Sequence, residues 1–375
     1  MSPSRSRVVV AGGHSAGHIE PAMNFADALR LLDAAAEITA LGTVHGLDTT
    51  LVPARGYPLE LIPPVPLPRK PNRALLRTPG RLRESVLAAG AVLERVRAEV
   101  VVGFGGYVAM PAYLAARRLG LPIVVHEANA RPGVANRLAA RMTTRVFTAA
   151  PGVRLAHATA IGIPLRPSIT GLDRPALRVA ARQRFGLRPD GPVLVVTGGS
   201  QGARTINAAV SGAAAALRAA GVQVLHITGP RHVVQVPDGD LPYVVVPYVH
   251  EMQYAYAAAD FAICRSGAMT CAELAAVGLP AAYVPLPLRG GEQRLNAEPV
   301  VAAGGALLVD DAVLDRAWIE TTLLPVLTDP GRIAAMSARA SAAGALDAGV
   351  VLAQYVLSAV ADRRRRATAQ RAAGR

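Results

Sequence analysis

The chain has 375 residues, 51 % of them hydrophobic and 18 % charged, with a formal charge of +14 at pH 7. That length predicts two domains rather than one, and the apolar content excludes global disorder. Two cysteines, Cys264 and Cys271, give neither a disulfide framework nor a zinc pattern. No apolar run reaches the ~18 residues of a membrane span and no signal-peptide core opens the chain, which predicts a cytosolic protein.

The charge is unevenly spread. Residues 1–165 carry 19 basic and 10 acidic groups, residues 166–362 carry 15 and 16, and residues 363–375 carry six arginines and no acid. An anionic partner for the N-terminal half is therefore expected, with the last thirteen residues read as a basic disordered tail.

In chain order, Val8–Val10 reads as a strand. It runs into the glycine loop Gly12-Gly13-His14-Ser15-Ala16-Gly17-His18 and then an Ala/Leu-rich helix to about Leu32. Strand, glycine loop and helix open a doubly wound α/β domain. Residues 57–84 interrupt the pattern with seven prolines and a run of basic residues interleaved with leucines. Arg69, Lys70, Arg73, Leu75, Leu76 and Arg77 lie here and read either as a solvated loop or as a patch for an anionic membrane surface. No aromatic residue lies between Tyr57 and Phe104, which disfavours single-stranded nucleic acid.

Val100–Val102 leads into Gly103-Phe104-Gly105-Gly106-Tyr107, and a strand from Leu121 ends at His126-Glu127-Ala128-Asn129. The linker is placed at Ile161–Pro167. The second half repeats the plan: a strand from Val193, the loop Gly198-Gly199-Ser200-Gln201-Gly202, and one long helix over about 205–220.

Residues 261–280 then read as a strand, a Ser/Gly turn and a helix, with Thr270 and Glu273 at capping-box spacing. A helix start at such a turn is a generic phosphate seat, and Glu273, one turn in, suits a ribose diol. The bland alternative is a capped βα unit without a ligand. Helices near 315–328, 331–343 and 350–363 close the chain. The fold class expected is α/β, two doubly wound domains facing across a crevice. Domain 1–166 precedes domain 167–345, and a helix over 346–362 follows.

Several chemistries are disfavoured. No loop matches Gly-x-Gly-x-x-Gly with its acidic partner, so a nicotinamide enzyme is not expected, and no Gly-Lys-Ser/Thr signals a P-loop. Asp238-Gly239-Asp240 sits in a turn between prolines and reads as structural. No cofactor and no metal are implied.

Taken together, GGHSAGHIEP at 12–21, GFGGYVAMP at 103–111, HEAN at 126–129, GGSQGAR at 198–204, CRSGAMTCAE at 264–273 and EQRLNA at 292–297 resemble the MurG glycosyltransferase family in order and spacing. The resemblance covers essentially residues 7–360. It implies a glycosyltransferase B fold, in which the last helix, here 346–362, crosses back to the first domain, and inverting transfer of N-acetylglucosamine from UDP-GlcNAc to the lipid-linked muramoyl-pentapeptide (lipid I) in peptidoglycan synthesis. It also implies a place on the cytoplasmic face of the cell membrane, with cell-wall synthesis proteins as possible complex partners.

Carried over by motif, Ser15, Ala16 and Gly17 line the first loop near sugar and phosphates. Asn129 and Gln293 contact sugar hydroxyls, while Arg166 and Ser200 face the diphosphate. The Val249 backbone pairs with uracil, Ala268, Met269 and Thr270 hold the diphosphate, and Glu273 holds the ribose. His14 stands where the family usually has glycine, and Ile163 where asparagine is commoner. His18 is the leading candidate for the base that deprotonates the acceptor, because an imidazole titrates near working pH. The other reading of His18 is that it hydrogen-bonds and caps the loop; Glu127 and His126 are the runners-up as base, and His126 reads alternatively as a brace of its loop. Two other readings remain open: a related transferase with another lipid or natural-product acceptor, and a non-catalytic sugar-nucleotide-binding protein.

Overall fold

The computed structural model describes residues 5–65, 78–287 and 290–373. Arg69, Lys70, Arg73, Leu75, Leu76 and Arg77 lie outside the described residues. The chain divides into two compact units, one formed by residues 1–166 and 346–375 and the other by residues 167–345.

The first unit holds a parallel sheet of β1 (Arg7–Gly12), β2 (Glu37–Gly42), β3 (Leu59–Leu61), β4 (Val100–Gly105), β5 (Ile123–Glu127), β6 (Val146–Thr148) and β7 (Ala158–Ala160), in the order β3-β2-β1-β4-β5-β6-β7. β1 and β4 read as unbroken valine runs because helices cover both faces of the sheet. Alternate residues then serve opposite cores. Val9 and Val101 pack with the helices Thr78–Arg95 and Gly106–Arg118, whereas Val8, Val10, Val100 and Val102 pack with the helix Ala16–Leu32.

The second of these cores is closed by the helix Ala348–Ala373, which contributes Leu352, Ala353, Val356, Ala359 and Val360 at helical spacing. The stretch Pro330–Ala372 is long and apolar enough to cross a membrane by length and composition alone; these five side chains are instead part of the first unit's core.

The C-terminal helix corrects the expected tail. It continues through residues 363–373, where disorder was anticipated. Arg364 grips both oxygens of Glu99 at 2.7 and 2.8 Å, and Arg145 and Arg365 share Asp362. Those pairs relieve the repulsion among four successive arginines. The segment is otherwise made of good helix formers, with no glycine or proline before Gly374.

The second unit holds β8 (Val193–Thr197), β9 (Gln223–Ile227), β10 (Tyr243–Val246), β11 (Phe261–Cys264), β12 (Ala281–Tyr283) and β13 (Ala306–Leu308), all parallel, in the order β10-β9-β8-β11-β12-β13. The helix expected over 205–220 is two helices, Arg204–Gly212 and Ala214–Ala219, broken at the glycine.

In each sheet the chain winds outward from one strand and then returns to wind the other way. The reversal falls between β1 and β4 in the first unit and between β8 and β11 in the second. At such a reversal the helices that follow the two strands lie on opposite faces of the sheet, which opens a crevice at the carboxyl edge above the strand ends. Three of the glycine loops, those after β1, β4 and β8, leave these four strands, and the Ser/Gly turn leaves the fourth.

Each unit buries a histidine in its sheet. His126 donates from Nε2 to the Gly162 carbonyl at 2.8 Å, and His226 lies between Asn207 Oδ1 and the Tyr243 hydroxyl at 3.1 and 2.9 Å. Burial lowers both imidazoles to about 4. Between pH 6.5 and about 4 the unfolded chain therefore binds protons that the folded units exclude. Stability is full above 6.5 and falls as pH drops, by up to about 3 kcal/mol for each histidine at 1.36 kcal/mol per unit. Urea midpoints at pH 7.5, 5.5 and 4.5 measure this, and His226→Gln is expected to reduce the slope for the second unit.

Candidate functional site

The first unit's crevice is built by close backbone contact. A Cβ on Gly106 would lie 2.7 Å from the Gly13 carbonyl oxygen, and one on Gly12 would lie 2.9 Å from the Phe104 Cβ. The loops after β1 and β4 meet only because these residues lack side chains. Gly105, at φ 89°, then runs past the imidazole of His18, whose Cδ2 and Nε2 would be 3.1 and 3.3 Å from a Cβ there. His18 lies in the first turn of the helix after the loop, and its Nδ1 is 3.0 Å from the Ser15 hydroxyl. Burial, and next the charge of His14, lower the His18 pKa below its usual value. The ring is neutral at pH 7 and able to accept a proton.

His14 has φ 75°, a left-handed conformation that a side chain disfavours. A residue that motif reading did not single out holds it there. Asp48 is fully buried, and its Oδ2 accepts the His14 amide at 2.9 Å, while the Leu47 amide reaches the His14 carbonyl at 3.3 Å. Burial raises the Asp48 carboxyl above its usual range, against the backbone donors of His14, Thr43 and Asp48 itself. Thirty-four residues separate Asp48 from His14, so no local spacing announces the pair. Only the pairing of β1 with β2 brings them together.

Glu127 is held on both of its oxygens. One oxygen accepts from the Asn129 amide and side chain at 3.0 and 3.4 Å, the other from the Gly133 amide and Asn136 Nδ2 at 2.9 and 3.0 Å. It is 2 % exposed. Four donors saturate the carboxylate, which shapes the 128–133 loop and aims Asn129. Asn136 also lies beside Gly105, so His18, Asn129 and Glu127 belong to one neighbourhood. Ser15 and Ala16 are half-buried there, and Gly17 is exposed with open space where its Cβ would point.

In the second unit the loop after β8 is a tight glycine turn. Gly199 and Gly202 have φ 84° and 76°, and the Gly202 amide closes onto the Gly199 carbonyl at 2.9 Å. A Cβ on Gly202 would lie 2.0 Å from the Thr228 carbonyl oxygen. Ser200 is exposed at the tip. After β11 the helix begins at Ala268 with Gly267 as its N-cap and no side-chain cap bond. The capping box anticipated from Thr270 and Glu273 does not form, since Thr270 already lies within the first turn. The amides of Ala268, Met269 and Thr270 have no intrahelical acceptor at this end.

Glu273 is 6 % exposed and accepts from the Tyr256 hydroxyl at 2.8 Å. Gln293 opens the helix Glu292–Ala302, where its Oε1 accepts the Leu286 amide at 2.9 Å. Asn296 reaches the Ser266 carbonyl at 3.5 Å, tying that helix to the turn after β11. Val249 stands three residues past β10, half-exposed, and Arg166 ends the first unit. Among the described residues no group of three or more His, Cys, Asp or Glu is placed to hold a metal.

Residues 8–148 match the glycosyltransferase family 28 N-terminal domain and residues 193–350 its C-terminal domain. A UDP-N-acetylglucosamine–N-acetylmuramyl-(pentapeptide) pyrophosphoryl-undecaprenol N-acetylglucosamine transferase from Streptomyces avermitilis is 58 % identical over 362 residues, 96 % of this chain and 99 % of that protein. This chain belongs to that transferase family. A relative of the same name from Mycolicibacterium smegmatis is 58 % identical over 369 residues, 96 % of each chain. The crystal structure of MurG from Acinetobacter baumannii superposes with a TM-score of 0.77 at 25 % identity, covering 94 % of this chain and 99 % of that one. The two-domain glycosyltransferase B fold and the assignment to a hexosyltransferase family follow from these matches.

The Asp48 contact is directly testable. Asp48→Ala leaves the part-buried His14 amide without its acceptor, a loss of about 1 kcal/mol. Urea unfolding of the variant should show it, whereas Thr49→Ala, exposed beside it, should be neutral.

Proposed function

We propose that this chain transfers N-acetylglucosamine from UDP-GlcNAc to the C4 hydroxyl of undecaprenyl-diphospho-N-acetylmuramoyl-pentapeptide, with inversion. The observation that carries the proposal is the 58 % identity to transferases of that name along nearly the whole chain. The placement of His18, the glycine loops and Glu273 at the strand-order reversals supports it.

Unit 2 handles the donor. The first-turn amides of Ala268, Met269 and Thr270 and the glycine turn at Ser200 meet the diphosphate, with Arg166 adding charge. Glu273, oriented by Tyr256, takes the ribose hydroxyls, and the Val249 backbone takes uracil. Gln293 and Asn129 address the sugar, and Ser15, Ala16 and Gly17 line the loop beside it.

Unit 1 supplies the base. In the tautomer whose Nδ1–H donates to Ser15 Oγ, the Nε2 lone pair is left for the acceptor hydroxyl. As Nε2 takes that proton, the oxygen forms its bond to the anomeric carbon. The bond to the diphosphate breaks, and UDP leaves with its electron pair, stabilised by the amides. Glu127, with both oxygens engaged, positions Asn129 rather than removing a proton.

The lipid-linked acceptor places the enzyme peripherally on the cytoplasmic face of the membrane, and a further feature supports this reading. A groove of about 950 Å³ is lined by Arg117, Arg141, Arg145, Arg363, Arg366 and Arg371, with Asp362 the acid among its lining residues. Such a surface attracts anionic headgroups at roughly 1 kcal/mol per arginine near the bilayer. Arg69, Lys70, Arg73 and Arg77, outside the described residues, carry further charge of the same sign.

Transfer from UDP-GlcNAc to a lipid I analogue is the decisive assay; binding of the donor without transfer would favour a non-catalytic protein. Glu273→Ala should raise the donor KM about tenfold or more with a smaller change in kcat. Co-sedimentation with anionic vesicles should weaken from 50 to 500 mM salt, and indifference to both salt and lipid charge would defeat the membrane reading.

A further inference from the structure

Beside the first glycine loop, on its β2–β3 side, lies a pocket of about 570 Å³ that the chemistry above does not use. Its apolar wall is Pro63, Pro64, Val65 and Val108. Its polar groups are His14, Thr43, His45, Arg81, Glu84 and Tyr107. The pocket sits at the carboxyl edge of the sheet, over β1, β2 and β3, whereas Asn129 and Glu127 follow β5 on the other side of the strand-order reversal. His14 joins the two regions. It lines the pocket, its ring meets Tyr107 edge-on at 5.9 Å, and it precedes His18 by four residues.

We infer that this pocket seats the peptide of the acceptor, taking an aliphatic segment that carries a carboxylate. The inference rests on the proposed function, in which an acceptor hydroxyl reaches His18 and the rest of the acceptor must lie alongside. Three observations point to the peptide. First, the volume falls in the range of ligand pockets, and the lining combines four apolar residues with six polar ones, a mixture that suits a peptide. Second, among the described lining residues the Arg81 guanidinium and the Glu84 carboxylate stand beside the His14 and His45 imidazoles. The guanidinium can hold a carboxylate by charge-assisted hydrogen bonds, with Glu84 left to accept an N–H or ammonium of the same segment. Third, the loop that forms one wall is fixed in place. Asp48 holds the His14 backbone, and a Cβ on Gly46 would strike the His14 carbonyl at 2.5 Å. A wall held in this way is pre-organised for its ligand.

Arg81 and Glu84 lie three residues apart on the exposed side of the helix Thr78–Arg95, and both are exposed. Substitution there leaves the core untouched.

The test compares two acceptors, one with the full pentapeptide and one with the peptide removed, in the full-length enzyme with saturating UDP-GlcNAc. Arg81→Ala should raise the acceptor KM about tenfold for the pentapeptide acceptor only, with kcat and the donor KM unchanged. Arg81→Lys, which keeps the charge, should recover most of the loss. Equal effects on both acceptors, or no effect on either, overturn the assignment while leaving transfer intact. Transfer to neither acceptor by the wild-type chain overturns the functional reading, and this assignment with it.

Discussion

The contact on which the first unit's site depends is between backbones. The carbonyl of Gly13 and the Cα of Gly106 approach so closely that any side chain at 106 would occupy the space of that oxygen. Because the loops after β1 and β4 touch, Gly105 passes beneath His18 and the imidazole is half-buried next to Ser15. Burial then lowers its proton affinity, and a histidine that would be partly charged in water is kept neutral. Chain reversal in the sheet, glycine at the crossing and a neutral imidazole form one causal sequence. Asp48 completes it from the side by holding His14 in a backbone conformation that its own Cβ opposes.

The second unit uses the same geometry for a different end. Gly198 and Gly202 allow the loop after β8 to fold against Ala203 and Thr228, and Gly267 lets the helix after β11 begin with its amides uncovered. Where the first unit presents a proton acceptor, the second presents oriented N–H groups. The pairing of Glu273 with Tyr256 shows why the residue is buried without being apolar. A carboxylate at this depth needs a donor, and the hydroxyl supplies one while fixing its direction.

Much of this was legible in the sequence, for physical reasons. Valine runs followed by glycines are what a parallel strand and its crevice loop require, so both halves of the fold, and the loops bearing His18, Ser200 and Glu273, could be read directly. What could not be read depends on contacts distant in sequence. Arg364 meets Glu99 across 265 residues, and that pair helps turn an apparent basic tail into the end of a helix. Asp48 looks like any loop aspartate until β2 pairs with β1. Glu127 stands next to a histidine in the sequence, and only the fold brings the four donors to its carboxylate. Thr270 and Glu273 had the spacing of a cap, but the helix starts earlier, at Gly267, where the backbone needs no side-chain partner.

The most direct measurement of the central claim is the pH dependence of single-turnover transfer, wild type against His18→Ala. A neutral, buried His18 acting as base predicts a rate that rises with pH along an acid limb centred below 6.5, then a plateau through neutrality. The variant should lose that limb and about 10²–10⁴ of the rate. An unchanged chemical rate in His18→Ala, or the same acid limb surviving in it, would contradict the account.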